Sequence, residues 1–133
     1  MTGTFKSSAL IEAVRQIAAE QPDFNYKEHY GTWNPYRHEN VAACIYFEDT
    51  EDKDDSTAMC LIGRGLEKLG CSAIPFWHDE ELNQRPVASL QAFIEFESKQ
   101  DQGWLREAQL QQDCGNSWGE AVQLADEYLA RLV

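Results

Sequence analysis

The sequence predicts an α+β fold: a mostly helical single domain over residues 1–133, with about five helices and a small antiparallel β-hairpin between the first and second helices. Three observations predict it. Apolar residues recur at three- and four-residue intervals in separate stretches along most of the chain, which is the period of a helix with one buried face. One segment, Val41 to Phe47, is instead a continuous apolar run, partly β-branched and aromatic. Finally, neither a linker nor an internal repeat divides the 133 residues, a length that supports one core and not two.

The first helix is expected from Ser8, with Leu10, Ile11, Val14, Ile17 and Ala18 on one face, Ser7 or Ser8 as its cap, and Pro22 as its end. Phe24 and Tyr26 then alternate with polar residues, so the segment up to Phe47 reads as two antiparallel strands joined by HYGTWNPYRHEN. That connection is long for a hairpin and carries Trp33 and Tyr36. The acidic run EDTEDKDD follows, and Asp55, Ser56 or Thr57 is expected to cap a second helix in MCLIGRGLEKLG.

Two glycines inside that helix are costly, each by roughly 1 kcal/mol against alanine. On a helical wheel Gly65 lies on the apolar face with Leu66 and Leu69, and Gly63 flanks it. Either another backbone packs tightly there or a ligand approaches the chain, and Gly70 supplies the left-handed cap. Arg64 is expected to pair with a surface acid such as Glu67. Downstream, one turn is expected around Asp79 to Leu82, and Pro86 opens a third helix with Val87, Leu90, Phe93 and Ile94 as its stripe. A fourth begins near Asp101, packs Trp104, Leu105 and Ala108, and stops at Gly115. The last opens on the capping box Ser117-Trp118-Gly119-Glu120 and carries Ala121, Val122, Ala125, Tyr128, Leu129 and Leu132.

The formal net charge is −12, from 23 acids against 11 bases. That balance opposes approach to nucleic acid phosphates and to an anionic membrane, and it favours a partner with a basic surface. Residues 1–10 lack the basic and apolar regions of a secretory signal, and nowhere do eighteen apolar residues run together. A soluble, intracellular protein is expected. Cys44, Cys60, Cys71 and Cys114 form no CxxC pair and read as reduced, mostly buried thiols.

Each familiar chemistry fails on spacing. Zinc sites bring ligands in close pairs, and these cysteines and His29, His38 and His78 do not supply them. Asp52, Asp54 and Ser56 begin an EF-hand-like pattern, which then lacks its glycine and its final glutamate. IGRGLEK matches neither phosphate-binding glycine motif. No nucleophile stands beside a base in a local motif, so no catalytic residue, metal or cofactor is assigned.

Three segments carry a resemblance: LIEAVRQIAAEQPDFNY, CIYF followed by CLIGRGLEKLG, and WLREAQLQQDCGNSWGEAVQLAD. In that order they resemble a family of small uncharacterised proteins of actinobacterial phages and prophages, of the mycobacteriophage type. The resemblance implies a phage origin and action in the cytoplasm of a bacterial host. It carries over no activity and no catalytic residue.

These readings lead to a small acidic phage accessory protein that binds a host protein, as an agent of host takeover or a counter-defence inhibitor. The candidate partner-binding residues are the loop aromatics Trp33, Tyr36 and Trp77 and the acids Asp49, Glu51, Asp52 and Asp54. The alternative is a small-ligand-binding or enzymatic domain with its site between the hairpin and the second helix, lined by Cys44, Tyr46, Cys60 and Arg64.

Overall fold

Leu10, Ala13, Val14 and Ala18 recur at helical spacing, and in the computed structural model they are the buried stripe of the first helix, α1 (Ser7–Glu20). The structure describes residues 4–30, 33–34, 39–40, 46–47 and 58–131. Within them the order is β1 (Phe5–Lys6), α1, α2 (Tyr26–Tyr30), β2 (Trp33–Asn34), β3 (Glu39–Asn40), α3 (Leu61–Lys68), α4 (Ile74–Trp77) and α5 (Glu80–Gln84). A 3-10 turn at Val87–Ser89, then β4 (Ile94–Glu95), α6 (Lys99–Asp113) and α7 (Trp118–Arg131) complete it. The architecture is mostly helical with little sheet, in keeping with α+β.

Seven helices among the described residues replace the five expected, and the sheet is also different. Phe24 to Tyr26 is not a strand: Asn25 Oδ1 accepts the Glu28 N–H at 3.0 Å and so caps α2. Tyr26 is buried. The expected hairpin gives way to a parallel ladder between distant segments, β1 with β4, in the register Phe5↔Ile94 and Lys6↔Glu95. A two-residue antiparallel ladder, Trp33↔Asn40, falls inside what reads in sequence as the connection. Of the apolar run, Phe47 makes one bridge with Ala58, and residues 41–45 lie outside the described residues.

The helix expected after Pro86 does not form. Pro86 is extended at ψ 144°, the Val87 N–H goes to Gln109 Oε1 at 2.8 Å, and the Phe93 carbonyl accepts from Phe5 at 2.8 Å. Those long-range bonds hold the segment as a 3-10 turn and draw Ile94 into the ladder. Tertiary contacts override the local helix signal. Capping of α1 is likewise non-local. Ser7 Oγ is buried, donates to Asp101 Oδ2 at 2.7 Å and accepts from Glu97 N, while Glu97 Oε1 accepts the Ser8 N–H at 2.9 Å. Hydrogen bonding from the Ser8 side chain and then from the Ser8 amide holds the Glu97 carboxyl below its usual range.

Helices α6 and α7 are joined by a short turn at Cys114–Ser117 and run back along one another, with Trp104 Nε1 donating to Asp126 Oδ1 at 2.9 Å. Gly115 makes that turn at φ +102°. The capping box forms: Glu120 N donates to Ser117 Oγ at 3.3 Å, and Ser117 N donates to Glu120 Oε1 at 3.2 Å. Two further amides at the start of α7 are satisfied from elsewhere, Trp118 N by the Phe24 carbonyl and Gly119 N by the Pro22 carbonyl, both at 2.9 Å. One core cluster unites α1, α3, α6 and α7, with Trp104, Trp118, Tyr46, Phe47 and Phe76 as its largest fully buried side chains.

Candidate functional site

Helix α3 is where the alternative reading places a ligand. Its N-cap is Cys60, later than the expected Asp55, Ser56 or Thr57, and the Cys60 sulfur accepts the Gly63 N–H at 3.4 Å. Cys60 is disulfide-bonded, which corrects the expectation of a reduced thiol there, and Cys44 lies outside the described residues. Cys71 and Cys114 are free. Burial pushes the Cys71 thiol up to about 11, so little of it is thiolate at neutral pH.

The two glycines of α3 face two different neighbours. A Cβ at Gly63 would run into the backbone carbonyl of Tyr46, and one at Gly65 would lie 2.9 Å from Val14 Cγ2 and 3.1 Å from Leu10 Cδ1. Helix α3 therefore packs against the 46–47 segment on one side and against α1 on the other. Tyr46 is further pinned: Met59 N donates to its carbonyl at 2.9 Å, and its hydroxyl donates to the Arg85 carbonyl and accepts from Gln109 Nε2 at 2.8 Å. Burial raises the Tyr46 hydroxyl above the ordinary phenol range. Tyr46 and Cys60 are both fully buried. What the alternative takes as a pocket wall is, at these residues, filled core.

Arg64 does not pair with Glu67 as expected. Its guanidinium carbon lies 5.7 Å from the centroid of the Trp118 ring, and its Nε is buried without a hydrogen-bond partner among the described residues. Phe24 packs against the same Trp118 ring, with ring centroids 4.2 Å apart.

A second polar cluster joins three helices. Gln112 is fully buried, and its Oε1 accepts from Leu61 N at 2.8 Å and from Trp118 Nε1 at 3.0 Å, linking the starts of α3 and α7 to the end of α6. Its Nε2 donates to Asp113 Oδ1 at 3.0 Å. Burial pushes the Asp113 carboxyl up to about 7 against that hydrogen bond, which favours the ionised form.

The seven partner-binding candidates are not assembled by what is described. Trp33 belongs to β2 and Trp77 ends α4. Tyr36, Asp49, Glu51, Asp52 and Asp54 lie outside the described residues. Phe76, the neighbour of Trp77, is core: it meets Tyr46, Phe47 and Phe93 at ring-centroid distances of 5.6, 4.9 and 5.0 Å.

The described surface does contain a cavity that the residue-by-residue reading missed. It measures about 390 Å³ and is lined by Ala88, Lys99, Gln102, Gly103, Arg106 and Tyr128. A sequence signal was present: Lys99, Gly103 and Arg106 fall on one face of α6 at steps of four and three, two cations flanking a residue without a side chain. Among the described residues no group of three or more His, Cys, Asp or Glu side chains could hold a metal ion, and no helix is long and apolar enough to cross a membrane. The chain matches no protein-family model, no curated protein and no solved structure.

Proposed function

We propose that this chain is a small acidic phage-encoded accessory protein that acts in the bacterial host cytoplasm by binding a host protein with a basic surface, as an agent of host takeover or counter-defence. The observation that carries the reading is the distribution of its carboxylates. Glu12, Glu20, Glu28, Glu81, Glu95, Glu120 and Glu127 are all exposed, on α1, α2, α5, β4 and α7, and residues 48–55 add six acids against one lysine. Like charge spread over a folded surface and concentrated in one segment steers encounter with a cationic partner. Tyr46 and Cys60 are fully buried, which speaks against those two side chains as the wall of a ligand site.

The test is affinity capture from an actinobacterial host lysate on the immobilised chain, followed by reconstitution with the purified captured protein. A one-to-one or otherwise stoichiometric complex that weakens as salt rises supports the proposal. Retention that disappears when the captured protein is purified, or that is equal for an unrelated acidic protein of matched charge, contradicts it.

A further inference from the structure

The cavity between α6, α7 and the 3-10 turn is cationic in a chain where acids outnumber bases 23 to 11. Lys99 and Arg106 line it, and no described carboxylate does. They stand seven residues apart on α6, hence about 10 Å apart along the helix axis, with Gln102 and Gly103 between them. Gly103 leaves the floor bare. A Cβ there would meet Tyr128 Cε1 at 3.4 Å, so the tyrosine ring packs close to the half-buried helix backbone at this glycine. Arg106 donates to the Tyr128 hydroxyl at 3.2 Å, which fixes the ring and the guanidinium relative to each other. Gln102 is held from the other side by its bond to the Ala88 carbonyl at 3.0 Å.

We infer that this cavity binds a small organic anion with a planar ring, its charged group on Arg106 and Lys99 and its ring against Tyr128 over Gly103. The volume lies in the range of small-molecule sites. Guanidinium and ammonium groups supply charge-assisted hydrogen bonds to phosphate or carboxylate, and an aromatic wall supplies stacking at little entropic cost. The wider field of the protein repels anions, so retention depends on these two cations and on the ring together.

Adenosine monophosphate is the probe, with adenosine and inorganic phosphate as controls, titrated into the full chain and followed by amide resonances of α6. The nucleotide should shift Lys99 to Arg106 saturably, with a dissociation constant of order 1 mM or tighter, and each control should bind about tenfold more weakly. R106Q and K99Q should each weaken the nucleotide about tenfold, and G103L, which fills the floor, should abolish binding while the melting curve stays cooperative. If G103L fails to fold, R106Q and K99Q decide. No saturable shift on α6 overturns the inference, as does a shift that all folded variants retain. Phosphate binding as tightly as the nucleotide overturns the ring contact and marks an adventitious anion site.

Discussion

A methyl group added at Gly63 meets a backbone carbonyl, whereas one added at Gly65 meets the ends of two side chains, and the difference is measurable. Gly63→Ala should cost about 2–4 kcal/mol because the Tyr46 backbone is held by Met59 and Asn83 and cannot retreat. Gly65→Ala should cost less, since Val14 and Leu10 can shift, and Gly65→Leu should cost several kcal/mol. Urea unfolding of the three variants gives the order, and a Gly63→Ala protein as stable as the parent contradicts the packing described. The helical wheel placed Gly65 on the buried face because burial follows a 3.6-residue period. Gly63's contact was not legible, because it depends on Tyr46, seventeen residues away. Asp113 makes a separate prediction. Its folded-state value of about 7 lies above the ordinary 3.8, so between them the folded state keeps a proton that the unfolded state loses, and stability falls as pH rises through that window. Asp113→Asn keeps the Oδ1 acceptor for Gln112 without the charge. It should melt higher than the parent near pH 8 and level with it below pH 4, and a parallel pair of pH profiles contradicts this.

Helix termini decide which elements the sequence announces. Ser117→Ala should cost about 1 kcal/mol and Glu120→Ala somewhat less, and the double variant should show coupling because the two side chains complete one box. Negligible, additive effects in urea titrations would place the stabilisation of this end on the Phe24 and Pro22 carbonyls instead. Gln112→Leu should cost about 2–4 kcal/mol by stranding the Leu61 N–H and the Trp118 indole N–H. α1, α6 and α7 were legible because periodicity and local caps agree. α2 was not read, although Asn25 three residues before Glu28 is a capping signal, because Phe24 and Tyr26 also fit the alternation of a strand. The segment after Pro86 misled for the opposite reason: its helix signal is local, and Gln109 and Phe5 outcompete it from afar. The parallel β1–β4 ladder joins residues some ninety positions apart, and two-residue strands leave no alternation to read.

At the scale of the whole molecule, charge separates the proposed function from any role for the thiols. Exposed carboxylates act over about 10 Å at 0.1 M salt, so they govern how fast a cationic partner arrives more than how tightly it stays. This is also where sequence was least able to assemble a site, since Trp33, Trp77 and the acidic run are far apart in the chain and share no periodic element. The cavity beside α6 was not read either: Lys99, Gly103 and Arg106 stand at spacings of four and three in one helix, but Ala88 and Tyr128 reach it from other elements. The measurement that bears most directly on the function is the association rate with the captured host protein at low and high salt, for the parent and for the variant with Asp49, Glu51, Asp52 and Asp54 replaced by their amides. The parent should associate fast at low salt and slow steeply as salt rises, and the variant, folded as judged by its melting curve, should associate slowly with a flattened salt dependence. A variant that binds at the parental rate with the parental salt dependence would contradict the account.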